Sequence, residues 1–229
     1  MSKRRNVTVE RSILAAAWDL FMEKGFQDTS YTDLADRSGV SRSLVQYYYP
    51  KKDLLVIACG KAIVIASHLV AHSDLHQEIN QVSSAYATGQ VLLAALFIHE
   101  GTRKFLLDAL RDRDITQRLI IQNYQLAHRT FSVDENVQPL IPDNVMMMAG
   151  GLGELAYSYL MRGETPEISS VLKPSVFLQA NVFGLVNEAT PQEAKAALAP
   201  YALSNEALAP LGVRALERAR ELLLETEAG

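Results

Sequence analysis

Apolar residues fall at Ile13, Ala16, Ala17, Leu20 and Phe21, the three-and-four spacing that lines one face of a helix. Lys24 suits the negative end of that helix, and Gly25 ends it, since glycine readily adopts the left-handed conformation of a C-terminal cap. A second helix starts at once. Ser30 with Asp33 three residues on is an acidic variant of the capping box, and the helix runs through Tyr31, Leu34, Ala35 and Arg37. Gly39 then turns the chain and Ser41 can cap a third helix. There Val45 and Tyr49 point inward, while Arg42, Ser43, Gln46 and Tyr47 stay outside. Consecutive helical residues are about 100° apart, so Tyr47, Tyr48 and Tyr49 cannot all face one core.

The rest of the chain continues as helices with few strand signals. Residues 54–71 are apolar but interrupted by Gly60, Lys61, Ser67 and His68, which predicts a helix buried on most sides and not a membrane span. Helical periodicity continues over 82–100, 102–111 and 115–131, followed by a loop with Asp134, Asn136, Pro139 and Pro142. Further helices are expected over 143–162, ending at Gly163, and over 174–187. Thr190, Pro191 and Glu193 mark another start, and 213–225 is amphipathic, with Leu216, Ala219 and Leu223 on one face. The expected fold is all-α. A three-helix N-terminal domain (1–52) precedes a larger helical body (53–229), with no internal repeat and no low-complexity linker.

Two short helices joined by a glycine turn, the second polar and aromatic on its outer face, fit a helix-turn-helix whose second member enters the major groove of DNA. Arg42 can donate a bidentate pair of hydrogen bonds to guanine, and Gln46, one turn later, can serve adenine. Ser43 shares that reading face. Tyr47, Tyr48, Lys51 and Lys52 offer hydroxyl and ammonium donors where phosphates flank the groove, a positioning role and not a specifying one.

These residues resemble the DNA-binding domain of TetR-type (tetracycline-repressor-like) transcriptional regulators. The resemblance rests on Lys24, Gly25, Phe26, Thr29, Leu34, Ala35, Gly39, Val40, Ser41, Tyr47 to Tyr49, Lys52 and Leu55, and covers roughly a quarter of the chain. It implies DNA contacts at Thr32 and Lys52, a double-stranded operator as partner, pairing of the last two main helices into a four-helix bundle, and a small-molecule pocket within the body.

Charge supports a division of labour. Residues 1–53 hold nine Lys and Arg against seven Asp and Glu, whereas 54–229 hold thirteen against nineteen, so an acidic chain keeps its positive charge local. Lys3, Arg4, Arg5 and Arg11 make the N-terminal arm a candidate DNA contact or a solvated tail. The lone Cys59 rules out an internal disulfide, and no signal-peptide pattern follows the basic start, so a cytoplasmic location is expected.

Within the body, Gly150, Gly151 and Gly153 lack bulk, and Phe177, Ala180, Phe183 and Gly184 form an apolar stripe with Val176, which together suggest a homodimer interface; a pocket wall or a break in the helix is the other reading of the glycines. Dimerisation would hold two reading helices roughly 34 to 36 Å apart, matching a palindromic site. Candidate ligand-binding residues are Tyr86, His99, Arg103, Tyr124, His128, Met147 and Tyr157, polar or adaptable side chains within apolar helices. His68, His72 and His76 share a helical face as possible metal chelators, but no cysteine or glutamate completes a site, so no metal or cofactor is expected. No nucleophile elbow, phosphate loop or catalytic Cys–His context points to an enzyme. The expectation is a dimeric, ligand-responsive repressor. A metal-responsive or activating regulator of the same fold, a small helical enzyme and a protein-interaction module stay open as alternatives.

Overall fold

The computed structural model describes residues 6–75, 81–130, 141–182, 196 and 198–225; the side chains at 81–82, 123–130, 141–145, 148 and 177–182 fall outside that description. The described residues form ten α-helices: α1 (Val7–Lys24), α2 (Tyr31–Ser38), α3 (Arg42–Tyr48), α4 (Asp53–Asp74), α5 (Gln81–Ile98), α6 (Glu100–Arg111), α7 (Arg113–Thr130), α8 (Ile141–Met161), α9 (Ile168–Val182) and α10 (Asn205–Glu225). A short 3₁₀ turn, Ala199–Tyr201, precedes α10, and no strand occurs among the described residues.

Local signals account for the first three helices. Asn6 caps α1 by accepting from the Thr8 amide, so the helix begins six residues before the first apolar position of its stripe. The capping box at α2 is reciprocal: the Ser30 hydroxyl accepts from the Asp33 amide, and the Asp33 carboxylate accepts from the Ser30 amide at 2.7 Å. Hydrogen bonds from Ser30 and the Lys24 ammonium hold the Asp33 carboxyl well below the usual carboxylate range. Gly39 sits in the left-handed region at φ 72°, where its missing Cβ removes the strain of the turn into α3.

The longer helices are set by packing. α4 is long and apolar enough to cross a membrane by length and composition, yet Leu55, Val56, Cys59, Ile63, Ala66 and Val70 are buried against the rest of the chain. Its main neighbours are α5 and α10. Burial pushes the Cys59 thiol far up, so this cysteine is an inert packing group. Gly60 lies where a Cβ would meet Leu119 at 2.6 Å, which brings α4 close to α7.

Two helices start earlier than their periodicity predicts. α9 begins at Ile168, six residues before Pro174, and α10 begins at Asn205, ahead of Pro210. Each proline lies in the second turn, where burial of Leu172 or Leu208 outweighs the one lost backbone bond. At Gly212 a Cβ would stand 2.9 Å from the Ala94 backbone, so α10 and α5 approach to main-chain contact. The carboxy-terminal segment therefore covers the body. The start signal at Thr190, Pro191 and Glu193 lies outside the described residues, as do Lys3, Arg4 and Arg5.

One buried apolar cluster crosses the expected boundary after residue 52. Ile13, Ala17, Phe21, Leu34 and Val45 belong to it together with Leu55, Cys59, Val91, Phe105, Ala215 and Leu223. A second, smaller cluster around Tyr86, Ile168, Leu172 and Leu208 joins α5, α9 and α10.

Candidate nucleic-acid interface

α3 is short, and its two faces are distinct. Val45, Tyr48 and the following Tyr49 are buried, whereas Arg42, Ser43, Gln46 and Tyr47 are exposed, Tyr47 to 58 %. Ser41 caps the helix by accepting from the Leu44 amide at 3.3 Å. Thr32, at the start of α2, is exposed as well.

Tyr48 departs from its expected outward position. It stands one turn after Val45, and the three-residue step carries it to the same inward face. Its hydroxyl accepts from the Asn6 amide at 2.7 Å, and Tyr47 packs edge-on against it. Its place is a staple between α3 and the start of α1, so its expected role as an outward phosphate contact is corrected on geometric grounds. Tyr49 works likewise: its hydroxyl donates to Glu10, and its carbonyl accepts from the Tyr31 hydroxyl at 2.9 Å.

Lys52 also turns inward. Its Nζ donates to the carbonyl oxygens of Phe26 at 2.8 Å and Thr29 at 2.6 Å, and lies 4.4 Å from the centroid of the Phe26 ring. Half-burial lowers its pKa, an effect opposed by nearby Asp53, Asp108, Asp28 and Asp33. The ammonium closes the loop between α1 and α2 from within, where an outward phosphate contact was expected. Lys51, its neighbour, is exposed.

That loop is the joint between reader and body. The Gln27 amide donates to Asp108 of α6 at 3.1 Å, and Lys104 of α6 pairs with Asp28 at 2.6 Å. A Cβ at Gly101 would stand 1.7 Å from the Met22 carbonyl oxygen, so the first turn of α6 touches the last turns of α1 backbone to backbone. None of these α6 contacts was legible in the sequence, because they join residues some eighty positions apart.

Further along, α6 borders a cleft of about 460 Å³ lined by Leu110, Arg111, Thr116, Gln117, Glu154 and Tyr157 among others. Of the expected ligand-binding residues, Tyr157 is on its wall. Four others are placed differently. Tyr86 is fully buried and donates to the Ser169 carbonyl at 2.9 Å, with burial pushing its phenol up to about 12. Arg103 donates to Thr165 and to the Glu164 carbonyl, His99 is an exposed residue at the start of α6, and Met147 is 72 % exposed. The side chains of Tyr124 and His128 lie outside the described residues.

Gly150 and Gly153, expected at a dimer interface, also border this cleft. Around Gly150 and exposed Gly151 a Cβ would meet nothing within 4 Å among the described residues. The side chains of Phe177 and Ala180, and residues Phe183 and Gly184, lie outside the described residues. The His68 and His72 rings meet edge to face with centroids 4.4 Å apart, but each has a hydroxyl partner on α5, Thr88 and Ser84 respectively. No group of three His, Cys, Asp or Glu is arranged for a metal among the described residues, and His76 lies outside them.

A capped pair of short helices, tightly turned at Gly39 and presenting a polar face on the second, is a helix-turn-helix of the DNA-binding class. Residues 13–59 match the family of bacterial regulatory proteins described as the tetR family, and this segment carries the chain's similarity to it. Among similar proteins, RutR of Escherichia coli (strain K12), an HTH-type transcriptional regulator, is 38 % identical over 55 residues, covering 24 % of this chain and 26 % of that protein. The chain thus spans about a quarter of RutR's length. The HTH-type transcriptional repressor Rv3405c of Mycobacterium tuberculosis (strain ATCC 25618 / H37Rv) is 29 % identical over 181 residues, 72 % of this chain and 90 % of that protein.

Proposed function

We propose that this protein is a homodimeric, ligand-responsive transcriptional repressor that reads a palindromic operator through α3. The observation that carries this reading is the outward face of α3: Arg42, Ser43, Gln46 and Tyr47 are all exposed, on a helix whose opposite face is anchored by Val45 and Tyr48. Arg42 and Gln46 serve as base readers, Ser43 flanks them, and Tyr47, Lys51 and Thr32 position the backbone. Lys52 acts indirectly, by fixing the loop behind the readers. Similarity to a named repressor over most of its length supports repression over activation.

The cleft beside α6 is the proposed effector site. Arg111 and Arg113 line it with one acid, Glu154, while Leu110, Ile120 and Met146 supply apolar wall, a combination suited to a small organic anion. Its ligand would act through α6, which along its length also holds the joint at Met22, Gln27 and Asp28. An effector shifts the reader only by its differential affinity for two such arrangements. The homodimer reading is supported by Gly150 and Gly151, which meet nothing within 4 Å among the described residues, and by exposed Met147 and Leu155 of α8.

Enrichment of duplexes from a random-sequence pool, followed by retardation at graded salt, tests the DNA reading. We expect a palindromic motif and affinity that falls steeply with salt; no enriched motif at low salt would remove the proposal.

A further inference from the structure

The carboxy-terminal helix does more than cover the body, because its last two turns lie along α1 of the reader. Arg220 grips Asp19 with two nitrogens, Nε at 3.1 Å and Nη2 at 3.4 Å, and Arg11 donates to the Glu225 carbonyl at 3.3 Å. Position 11 meets 225 while 19 meets 220, so the two helices run antiparallel. Beneath these contacts Ala215, Ala219 and Leu223 belong to the same buried cluster as Ile13, Leu14 and Ala17. At its other end α10 is fixed to the body, by main-chain contact at Gly212 with α5 and by the ion pair of Arg214 with Asp74 of α4.

The reader is therefore held at separated points. α6 meets the end of α1 at Met22, and the loop beyond it at Gln27 and Asp28. α10 meets its flank at Asp19 and Arg11, eight residues apart and so about 12 Å along the axis. A rod held at one end can swing, but one held at its end and along its flank has a defined tilt. We propose that α10 is a strut that sets the tilt of the DNA reader, with Arg220 and Asp19 as its positioning pair. The proposal rests on the operator reading above. In a dimer, the tilt of each α1 fixes the separation of the two α3 helices, so the strut determines which spacing of half-sites the protein accepts. Both partners are partly exposed, at 46 % and 35 %, so the pair orients more than it stabilises.

A charge-swap cycle on the full-length protein tests this: Asp19→Arg, Arg220→Asp and both together. Each is bound to duplexes enriched by the unaltered protein, and to the same half-sites moved one base pair closer or farther apart. Each single reversal should weaken binding at the parent spacing about two- to fivefold, the range open to an exposed pair, and blunt discrimination between spacings; the double swap should restore both. Equal weakening at every spacing, or no recovery in the double swap, would overturn the strut. Arg220→Gln provides the same comparison if a reversal prevents folding. Amide hydrogen exchange along α1 to α3 decides the matter without DNA. Faster exchange in the single variants, recovered in the double, is expected, and unchanged exchange rejects the strut. Failure of the unaltered protein to enrich any duplex would reject the operator reading alone, leaving the exchange result to judge α10.

Discussion

α3 and α8 both carry residues that sequence patterning singles out, but the structure treats them differently. On α3 four of the expected contacts, Arg42, Ser43, Gln46 and Tyr47, emerge on one face within two turns. The expected ligand residues disperse: Tyr157 lines the cleft, Met147 and His99 are exposed, and Tyr86 and Arg103 serve other contacts. The difference is one of range. α3 is positioned by a cap at Ser41 and a turn at Gly39, both written within a few residues of it, whereas the wall of the cleft is assembled from α6, α7 and α8 by packing. Local chemistry can be read from a sequence window; a pocket made from three helices cannot.

The sharpest way to probe the long-range side is Gly101→Ala. With a methyl 1.7 Å from the Met22 carbonyl, α1 and α6 must separate, and urea denaturation should show a loss of about 3 kcal/mol. An unchanged midpoint would mean that the two helices do not meet as described. Lys52→Ala and Arg42→Ala then contrast a residue that acts inside the reader with one that acts on its surface. The first leaves two carbonyls without their ammonium and should lower stability by about 1 to 3 kcal/mol, while the dependence of DNA affinity on salt keeps its slope. The second should leave stability within about 0.5 kcal/mol, yet cost about 1 to 3 kcal/mol of discrimination at one base position. A reduced salt slope for Lys52→Ala would return that residue to the phosphates.

The smallest effect concerns acid. Burial, and then the neighbouring His72, push His68 below the ordinary imidazole value, so the folded chain takes up this proton less readily than the unfolded chain. Its contribution to stability is fully present above about pH 6.5 and is lost as pH falls through the lower folded value. His68→Gln should flatten the fall in melting temperature between about pH 6.5 and pH 5. An identical pH profile in the variant would show that the histidine plays no part.

Much of the fold was legible, and the reasons are specific. Ser30, Asp33, Gly39 and Ser41 act within one turn of themselves, and all perform as their spacing indicates. The early starts of α9 and α10 were hidden by Pro174 and Pro210, which read as breaks until Leu172 and Leu208 are seen to be buried. Tyr48 was misplaced for a subtler reason. Three adjacent tyrosines cannot share a face, but two of them can, and the distance from Val45 makes Tyr48 and Tyr49 that pair. Nothing near Lys52 reveals that its ammonium turns back to Phe26 and Thr29, since those acceptors are main-chain groups more than twenty residues earlier.

The apolar cluster that runs from Ile13 through Cys59 to Leu223 has a consequence for anyone who would use this reader elsewhere. A chimera that joins residues 1–52 to a foreign body would strip water-avoiding cover from Phe21 and leave Asp19 and Asp28 without their cations. The transplantable unit is not a contiguous stretch of sequence. It consists of the first four helices together with α6 and the carboxy-terminal helix, and a graft that respects that grouping is the one that should keep both its shape and its taste for sequence.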